Sequence, residues 1–230
     1  MPKISIITLF HNRWGMASQY VRQWRGARGD PGGVELILGD CASSDGSAEV
    51  AASAGDIADV TLFRENLGFA RGNNALAKRA KGDLLVFLNY DVNLVPGWLE
   101  GLVSVFSGRP DLGIAGNVQI SVRGRLTDHA GIFFDPAGRP FHFRPPVAVL
   151  TKLGFLRVPA ATGACMAVRR DLFESLGGFD EGYRNSYEDV DLCMRAHASG
   201  AGVGLAGRSV IWHQVGSSPG RPAMKQSTAR

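Results

Sequence analysis

The sequence has 230 residues, of which 45% are hydrophobic and 20% are charged, and its formal net charge is +4. This length allows one large α/β domain or two small ones, and the composition excludes a collagen-like or largely disordered chain. The small positive excess favours an anionic partner such as a nucleotide or a membrane surface. Because the arginines form no basic run with interleaved aromatic residues, nucleic-acid binding is not expected.

The cysteine content and the apolar runs indicate the compartment. Cys41, Cys165 and Cys193 are far apart and form no C-x-x-C pair, which argues against a zinc site or a disulfide framework and favours a reducing environment. No run of about 18 apolar residues could span a membrane. The apolar stretch at 4–10 is too short for a signal peptide. The sequence therefore predicts a cytoplasmic protein.

The first 90 residues alternate short apolar runs with helical segments. Strands are predicted at 3–9, 34–38, 60–63 and 83–88, and helices at 14–25, at 47–54 and up to about residue 80. Strand, helix, strand at this spacing indicates βαβ units and a parallel sheet. Ligands of such sheets bind at the carboxyl ends of the strands, where the polar turns at 10–13 and 40–45 are located.

Residues 64–74 lead from the third strand towards the next helix and are unusually rich in hydrogen-bonding groups. Gly68 and Gly72 allow a close backbone approach. Side-chain donors come from Asn66, Arg71, Asn73 and Asn74. A plain connecting loop does not usually carry so many donors, so we interpret this segment as part of a ligand-binding site.

Asp91 follows the strongly apolar strand predicted at 83–88. A carboxylate at the end of a buried strand is costly unless it faces a cleft, a cation or hydrogen-bond donors. The alternative is that Asp91 caps the helix that begins near Pro96, but Asn93 is closer and suits that position better. Asp91 is therefore a candidate for a metal or phosphate site.

The second half of the chain is less regular. A helix is predicted at 97–106 and a strand at 112–120. Residues 121–157, rich in Gly, Pro and Arg, are interpreted as an irregular excursion with hairpin-like pieces at 131–134 and 139–143. A short helix follows from Asp171, and two short strands at 202–205 and 209–212 precede His213. The polar tail from Gly216 is expected to be disordered.

An acidic stretch, Glu188-Asp189-Val190-Asp191, opens a further predicted helix that ends at Gly200. Unpaired N–H groups and the helix dipole favour acids in a first turn, so charge compensation is the simpler interpretation of the stretch taken alone. Because Glu188 and Asp189 are adjacent, they point in different directions. One can face a cleft while the other fixes the loop.

Taken in order, these motifs resemble those of the inverting nucleotide-sugar glycosyltransferases with the GT-A fold, often called family 2. The resemblance covers about residues 3–218 and rests on six features: 5–13, Asp40 with 43–47, 66–74, 88–91, 177–180 through 187–192, and 212–216. The pieces Asn66-Leu67-Gly68-Phe69 and Glu188-Asp189-Val190-Asp191-Leu192 are most similar to the rhamnosyl- and galactofuranosyltransferase branch, which builds bacterial surface polysaccharides.

The resemblance implies a fold and a domain organisation. It implies an α/β, Rossmann-like, mostly parallel central sheet with helices on both faces and a small antiparallel region on the acceptor side. A single domain is expected at 1–218, with a nucleotide-binding half at about 1–120 and an acceptor and catalytic half at 121–218. Residues 219–230 are expected to form a disordered tail.

The resemblance also implies roles for individual residues. Thr8, Phe10 and Asn12 would line the nucleotide pocket, Asp40 would bind the base or ribose, and the nucleotide and its phosphates would be held by Asn66, Gly68, Arg71 and Asn73. Asp91 matches the last carboxylate of the family's Asp-x-Asp metal motif, in which Asn89 replaces the first, and His213 matches a histidine that holds the metal or the diphosphate. Asp189 matches the catalytic base, with Glu188 beside it near the acceptor.

The implied reaction needs these groups. A nucleoside diphosphate leaves an anomeric carbon more readily when its charge is neutralised, usually by Mg²⁺ or Mn²⁺ on oxygen ligands. A base on the opposite face takes the proton of the acceptor hydroxyl, and a single displacement inverts the anomeric centre. The implied partners are a UDP- or dTDP-sugar donor and a glycan or lipid-linked glycan acceptor, with peripheral association at the inner face of the membrane.

Two departures from the family pattern leave alternatives open. With Asn at position 89, Asp91 is the only carboxylate of its motif, so an ion would depend partly on substrate phosphates. The sequence also stops soon after His213, so we expect a partner, a tail or an acceptor platform to be supplied separately. A catalytically inactive nucleotide-sugar-binding module remains an alternative. A sugar-phosphate nucleotidyltransferase is less favoured, because residues 10–13 are not a Gly-rich basic loop.

The remaining candidates are expected to be structural. The other histidines are assigned no role in the reaction: His11, His129, His142 and His197. Cys165 and Cys193 lie in apolar settings typical of a core, and Trp98 and Trp212 are expected to pack rather than to bind sugar.

Overall fold

The computed structural model describes residues 2–26, 33–121, 127–183 and 186–214. Its helices are α1 (Trp14–Gly26), α2 (Ser47–Ser53), α3 (Gly68–Ala77), α4 (Trp98–Ser104), α5 (Val147–Leu153), α6 (Arg170–Ser175) and α7 (Glu188–Ala198). Its strands are β1 (Ile4–Phe10), β2 (Val34–Cys41), β3 (Asp59–Phe63), β4 (Leu84–Leu88), β5 (Val92–Leu94), β6 (Leu112–Ser121), β7 (Thr127–His129), β8 (Ile132–Phe134), β9 (Pro140–His142), β10 (Phe155–Arg157), β11 (Cys165–Arg169) and β12 (Gly202–His213).

The strands form a ten-stranded sheet of order β10-β12-β6-β11-β4-β1-β2-β3, with β5 paired to β12 and β7 paired to β6. The four strands of the first half are parallel to their neighbours, and β12 is parallel to β6. Between these two parallel groups, β11 runs antiparallel to both β4 and β6. This mixed, mostly parallel sheet confirms the predicted fold class.

The sheet is buried on both faces, which explains why β1 is an almost continuous apolar run. Ile6 faces a cluster that includes Tyr20 of α1 and Leu102 of α4. Its neighbour Ile7 faces the opposite cluster, which includes Leu76 of α3 and residues of α5, α6 and α7. Successive side chains of a strand point to opposite faces, so one strand serves both helix layers.

The sequence predicted two short strands at 202–205 and 209–212, but the structure has a single strand there. β12 is one strand of 12 residues with a bulge, where its register with β6 passes from Ala206 opposite Asn117 to Val210 opposite Val118. The polar residues that suggested a break are used inside the fold. The hydroxyl of Ser209 donates to the carbonyl of Trp98 at 2.7 Å, so its burial leaves no polar group unsatisfied.

Other element boundaries also differ from the prediction. Helix α3 begins at Gly68, so most of the segment interpreted as a loop is helical, and α5 and β5 were not predicted. Asn93 does not cap α4: it lies in β5 and accepts a hydrogen bond from Gln19, while Gly97 stands at the start of α4 with φ 82°. The hairpin pieces within 121–157 are confirmed as the antiparallel pair β8–β9.

Part of the prediction falls outside the described residues. This part comprises the last two positions of the 212–216 motif and the polar tail from Gly216, which includes the segment 219–230. Within the part of the chain that is described, no helix combines the length and the apolar character needed to cross a membrane.

Candidate active site

Three polar loops meet where parallel strands end. The register of β1 and β2 places Phe10 beside Asp40, and β4 runs parallel to β1 on its other side. The turns that follow these strands are residues 11–13, 42–46 and 89–91. This edge of the sheet is where open α/β folds bind their ligands.

The turn after β1 has an unusual backbone. Asn12 and Arg13 are both in the left-handed region, with φ 58° and 63°. The Asn12 N–H donates to Ser43 Oγ at 2.7 Å, and Asn12 Oδ1 accepts the N–H of Ser44 at 2.9 Å. On the opposite side, the Tyr90 hydroxyl donates to the carbonyl of His11 at 2.9 Å. Asn12, expected to line the nucleotide pocket, thus ties two of the loops together.

Asp40 also holds loop structure. Its side chain is 1% exposed, its Oδ1 accepts the N–H of Ser43 at 2.9 Å, and its Oδ2 accepts the hydroxyl of Ser43 at 2.5 Å. These bonds fix the turn that carries the Ser43 hydroxyl towards Asn12. The contact of Asp40 with a base or ribose stays a prediction.

The side chains of Thr8 and Phe10 are completely buried. The Thr8 hydroxyl pairs with that of Tyr20 at 2.6 Å, and the Phe10 ring packs on Tyr20 and Tyr90 with centroid separations of 5.8 and 5.1 Å. Because these residues are two apart in β1, both side chains point to the face that packs on Tyr20. They support the turn in this structure, and their place in a nucleotide pocket stays a prediction.

The residues expected to hold the phosphates lie in α3 or just before it, and they differ in exposure. Asn66 Oδ1 accepts the N–H of Gly68 at 2.9 Å and thereby fixes the start of the helix. Asn73 is 2% exposed and donates to the carbonyl of Phe69 at 2.9 Å, so it cannot reach a ligand in this conformation. Arg71 has an exposed side chain, with Glu65 and Glu181 at 4.0 and 3.8 Å. Of this group, the Arg71 guanidinium is the best placed to meet an anion.

Asn74 has a role that the sequence did not reveal. Its Nδ2 donates to the carbonyl of Phe179 at 2.8 Å, and its Oδ1 accepts the N–H of Phe179 at 2.9 Å. Gly178 has φ 79°, and a Cβ there would lie 2.6 Å from Asn74 Oδ1. Asn74 thus joins α3 to the Gly-Gly-Phe-Asp motif. The presence of both motifs in one sequence was the signal, but their contact was not evident.

Asp91 and His213 are neighbours in space. Pairing of β5 with β12 sets His213 opposite Val92, and Asp91 Oδ1 lies 3.3 Å from His213 Nε2. The carbonyl of Asp91 accepts the N–H of Gln214 at 2.9 Å. Among the described residues, Asp91 Oδ1 and His213 Nδ1 are buried and make no hydrogen bond. Asp91 Oδ1 has His213 Nε2 within ion-pair distance, so among the described residues His213 Nδ1 is the atom of this pair that lacks a contact.

The Asp91–His213 pair fits a divalent cation. Carboxylate oxygen and imidazole nitrogen both suit Mn²⁺, whereas Mg²⁺ prefers oxygen and keeps several waters or phosphate ligands. Across the described ranges, no group of three or more His, Cys, Asp or Glu side chains could hold a metal. The ion would therefore need further ligands from a substrate. Asn89, which replaces an acid here, is half-buried, and its backbone N–H donates to the carbonyl of Ala164 at 2.9 Å.

Asp189 lies in the first turn of α7 and faces the loop before β11. Its Oδ2 accepts the N–H of Gly163 at 2.8 Å. Space at Gly163 is limited, because a Cβ there would lie 2.9 Å from the ring of Phe69, which would have to shift. The next residue, Ala164, is the one that binds Asn89. Two hydrogen bonds thus link the candidate base to the candidate metal motif.

The three acids of the 188–191 stretch have different environments. Asp191 accepts a hydrogen bond from Arg195 Nε at 2.8 Å, and Arg195 also donates to the carbonyls of Leu176 and Gly178. Glu188 is buried and Asp189 is half-buried. Asp191 is committed to its pair with Arg195, and Asp189 holds the loop before β11 through Gly163.

A separate depression of about 520 Å³ lies at the other end of β6 and β11. Its lining includes Asp111, Arg169 and Asp171 and none of the motif residues. The depression is therefore distinct from the candidate site at the polar loops.

The architecture is that of the GT-A fold, and solved structures agree. The structure of GalNAc-T7 with UDP, GalNAc and Mn²⁺ superposes with a TM-score of 0.75 and 19% identity, over 93% of this chain and 44% of that one. The mannosyltransferase PcManGT from Pyrobaculum calidifontis, in complex with GDP-Man and Mn²⁺, gives 0.70 and 18%, over 95% and 58%. At these identities the likeness shows the fold.

Sequence comparison identifies the family to which the chain belongs. Residues 5–177 match the model of Glycosyl transferase family 2, and the chain belongs to this family of glycosyl-transferring enzymes. The O-antigen biosynthesis protein RfbC of Myxococcus xanthus is 37% identical over 154 residues, which are 64% of this chain and 12% of that protein. An N-acetylglucosaminyl-diphospho-decaprenol L-rhamnosyltransferase of Mycobacterium tuberculosis is 27% identical over 215 residues, 83% of this chain and 70% of that protein.

The extent of these matches matters for the site. The chain spans a small part of RfbC and less than half of the GalNAc-T7 structure. The family match also ends before Asp189 and His213. The family match therefore gives no evidence for the roles proposed for Asp189 and His213, which rest on the positions of these residues in the fold.

Proposed function

We propose that this protein is an inverting glycosyltransferase that transfers a sugar from a UDP- or dTDP-sugar to a hydroxyl of a glycan or glycolipid. The observation that carries the proposal is the link from Asp189 through Gly163 and Ala164 to Asn89, two residues before Asp91. It joins a carboxylate suited to act as a base to a carboxylate and imidazole suited to a cation. Transfer from a nucleoside-diphosphate donor needs both groups.

Asp91 and His213 would hold the divalent cation, Mn²⁺ or Mg²⁺. When bound, the ion would neutralise the charge of the departing diphosphate. The proximity of the Asp91 carboxylate to the His213 imidazole supports the assignment. Because the protein supplies few ligands, the ion would need phosphate oxygens of the substrate as well. Nucleotide and metal should therefore bind cooperatively.

Asp189 would take the proton of the acceptor hydroxyl. One of its oxygens is held by the Gly163 N–H, which orients the carboxylate and leaves lone pairs for the acceptor. Direct displacement needs one base and no covalent intermediate, so a single carboxylate suffices. Glu188, beside Asp189 and buried, would belong to the acceptor side.

The acceptor and the location are proposed by similarity. The mycobacterial relative is named for a lipid-linked diphosphosugar acceptor, and the Myxococcus relative for O-antigen biosynthesis. A lipid-linked glycan is therefore the proposed acceptor, and the cytoplasmic side of the membrane the proposed place of action. The domain organisation at 1–218 is proposed on the same grounds.

Calorimetric titration tests the donor site. UDP, dTDP, GDP and their sugars are titrated with and without Mn²⁺, and one nucleoside diphosphate is expected to bind in a metal-dependent way. Binding of none of them would refute the proposed function. Binding of a donor without any turnover would instead indicate an inactive nucleotide-sugar-binding module.

Asp189→Asn tests the catalytic step. The variant keeps the size of the side chain and its bond to Gly163, so donor affinity should remain within about twofold while transfer and donor hydrolysis fall by about 10²- to 10⁴-fold. Asp171→Asn, on the exposed side of α6, is the matched control and should change neither rate. Unchanged turnover in Asp189→Asn would remove Asp189 from the base role.

A further inference from the structure

We propose that Arg13 binds the diphosphate of the donor and that Tyr90 is the positioning residue that holds Arg13 in place. The inference rests on the proposed function, because it concerns the donor side of the same site. Arg13 lies within the motif at 5–13, but the resemblance gave it no role; the inference assigns its positive charge to the phosphates.

The backbone at Arg13 needs an external restraint. Asn12 and Arg13 are consecutive non-glycine residues with φ 58° and 63°. Contact between Cβ and the carbonyl oxygen disfavours this region for L-residues, and a pair of them is rarer than one. Strain of this kind persists only where surrounding contacts maintain it.

Contacts from two sides maintain this turn. On the β2 side, Ser43 and Ser44 bind Asn12. On the β4 side, the Tyr90 hydroxyl lies 2.9 Å from the carbonyl of His11 and 3.3 Å from that of Asn12. The Tyr90 ring packs on Phe10, so the hydroxyl is held at the turn by a rigid side chain.

The hydroxyl of Tyr90 stays a donor. A carbonyl oxygen can only accept, so the phenolic hydroxyl donates in both contacts. Because β1 and β4 are parallel neighbours, the turn that carries Arg13 and the turn that carries Asp91 lie at the same edge of the sheet.

The Arg13 side chain is available for a ligand. It is exposed, and within the described residues no carboxylate lies within ion-pair distance of it. Arg71, the cation expected at the phosphates, is instead shared between Glu65 and Glu181. An exposed guanidinium at the same edge of the sheet as Asp91 suits the planar, two-point recognition of a phosphate.

A double-mutant cycle tests the inference. The nucleoside diphosphate that the wild-type protein binds is titrated into Arg13→Gln, Tyr90→Phe and the double variant, together with the corresponding monophosphate. Loss of a charged hydrogen bond should weaken diphosphate binding to Arg13→Gln by about tenfold to hundredfold, and monophosphate binding by less. Tyr90→Phe should weaken diphosphate binding by about threefold to tenfold, as expected for a neutral hydrogen bond.

The double variant separates positioning from a general structural effect. If Tyr90 acts through Arg13, adding Tyr90→Phe to Arg13→Gln should cost no more than about twofold. Arg22→Gln, an exposed arginine of α1, is the control for loss of one charge and should bind as the wild type does. Thermal unfolding followed by circular dichroism verifies that each variant is folded.

The outcomes distinguish the inference from the proposed function. If the wild type binds no nucleoside diphosphate, the proposed function fails and the inference fails with it. If the wild type binds one and Arg13→Gln binds it as well as Arg22→Gln does, the inference alone is wrong. Equal effects of Tyr90→Phe with and without Arg13 would overturn the positioning role of Tyr90.

Discussion

Acidification should destabilise this protein through His129 before its carboxylates are protonated. His129 lies in β7, opposite Gln119 of β6, and is 1% exposed. Its Nε2 faces the N–H of Gly131 at 3.2 Å, and its Nδ1 lies 2.7 Å from His142 Nδ1. Since Nε2 accepts from a backbone N–H, the proton of the neutral ring is on Nδ1 and is donated to His142. A second proton would have to displace the bond to Gly131.

The pKa of His129 sets the sign of the effect. Burial lowers this pKa well below the ordinary value of 6.5, and the charges of His142, His213 and Arg144 lower it further. As the pH falls below 6.5, the unfolded chain takes up a proton at His129 and the folded protein does not. Stability is therefore at its full value above pH 6.5 and decreases below it, with a limiting slope of about 1.4 kcal/mol per pH unit for one proton. Because a single histidine is involved, its contribution to the loss between pH 7 and pH 5 is at most about 2 kcal/mol.

Urea unfolding at pH 7, 6 and 5 measures this loss for the wild type, His129→Gln and His197→Gln. Glutamine at 129 can accept the Gly131 bond and does not titrate, so the dependence on pH should become shallower by up to about 2 kcal/mol over the range, whatever the variant's overall stability. His197 is exposed and serves as the control with the wild-type dependence. Equal slopes for the wild type and His129→Gln would refute the reasoning.

Three further perturbations follow from the site. Asp91→Ala should abolish the difference between nucleotide affinities measured with and without Mn²⁺, and an unchanged difference would exclude Asp91 as a metal ligand. Asn74→Ala leaves the backbone of Phe179 without partners and should cost about 2–3 kcal/mol of unfolding free energy in urea, against less than about 0.5 kcal/mol for the exposed Glu174→Ala. Gly163→Ala should press its Cβ against Phe69, shift the backbone that binds Asp189 and lower the transfer rate while donor affinity in calorimetry is kept, and a normal rate would show that this loop is not needed to orient the base.

The local pattern of residues was sufficient to predict strands and helices whose composition directly reflects their burial or their ends. Strands β1, β2 and β4 are short apolar runs between polar turns, and burial on both faces of a sheet requires that composition. Helix α7 was evident from its acidic first turn and from Gly200, which has φ 87° beyond its end. The polar turns at 11–13, 42–46 and 89–91 were evident for the same reason, because each of them follows one of these strands.

Local pattern failed where a residue's partner is distant in sequence. Thr8 and Asn73 belong to binding motifs, yet their side chains are bonded to Tyr20 and to Phe69 inside the protein. The continuity of β12 depends on the bulge that lets Ser209 reach Trp98. Neither the direction of a polar side chain nor its partner follows from its position in a motif.

The sequence by itself determined the class of fold, the family resemblance and the identity of the candidate groups, because periodicity and motif order are properties of neighbouring residues. Only the tertiary structure decided which groups meet. Asp91 and His213 come together because β5 pairs with β12, and Asp189 approaches Asn89 through the loop before β11, which pairs with β4. Strand order and register arise from burying both faces of the whole sheet at once, so they cannot be assigned from any one segment.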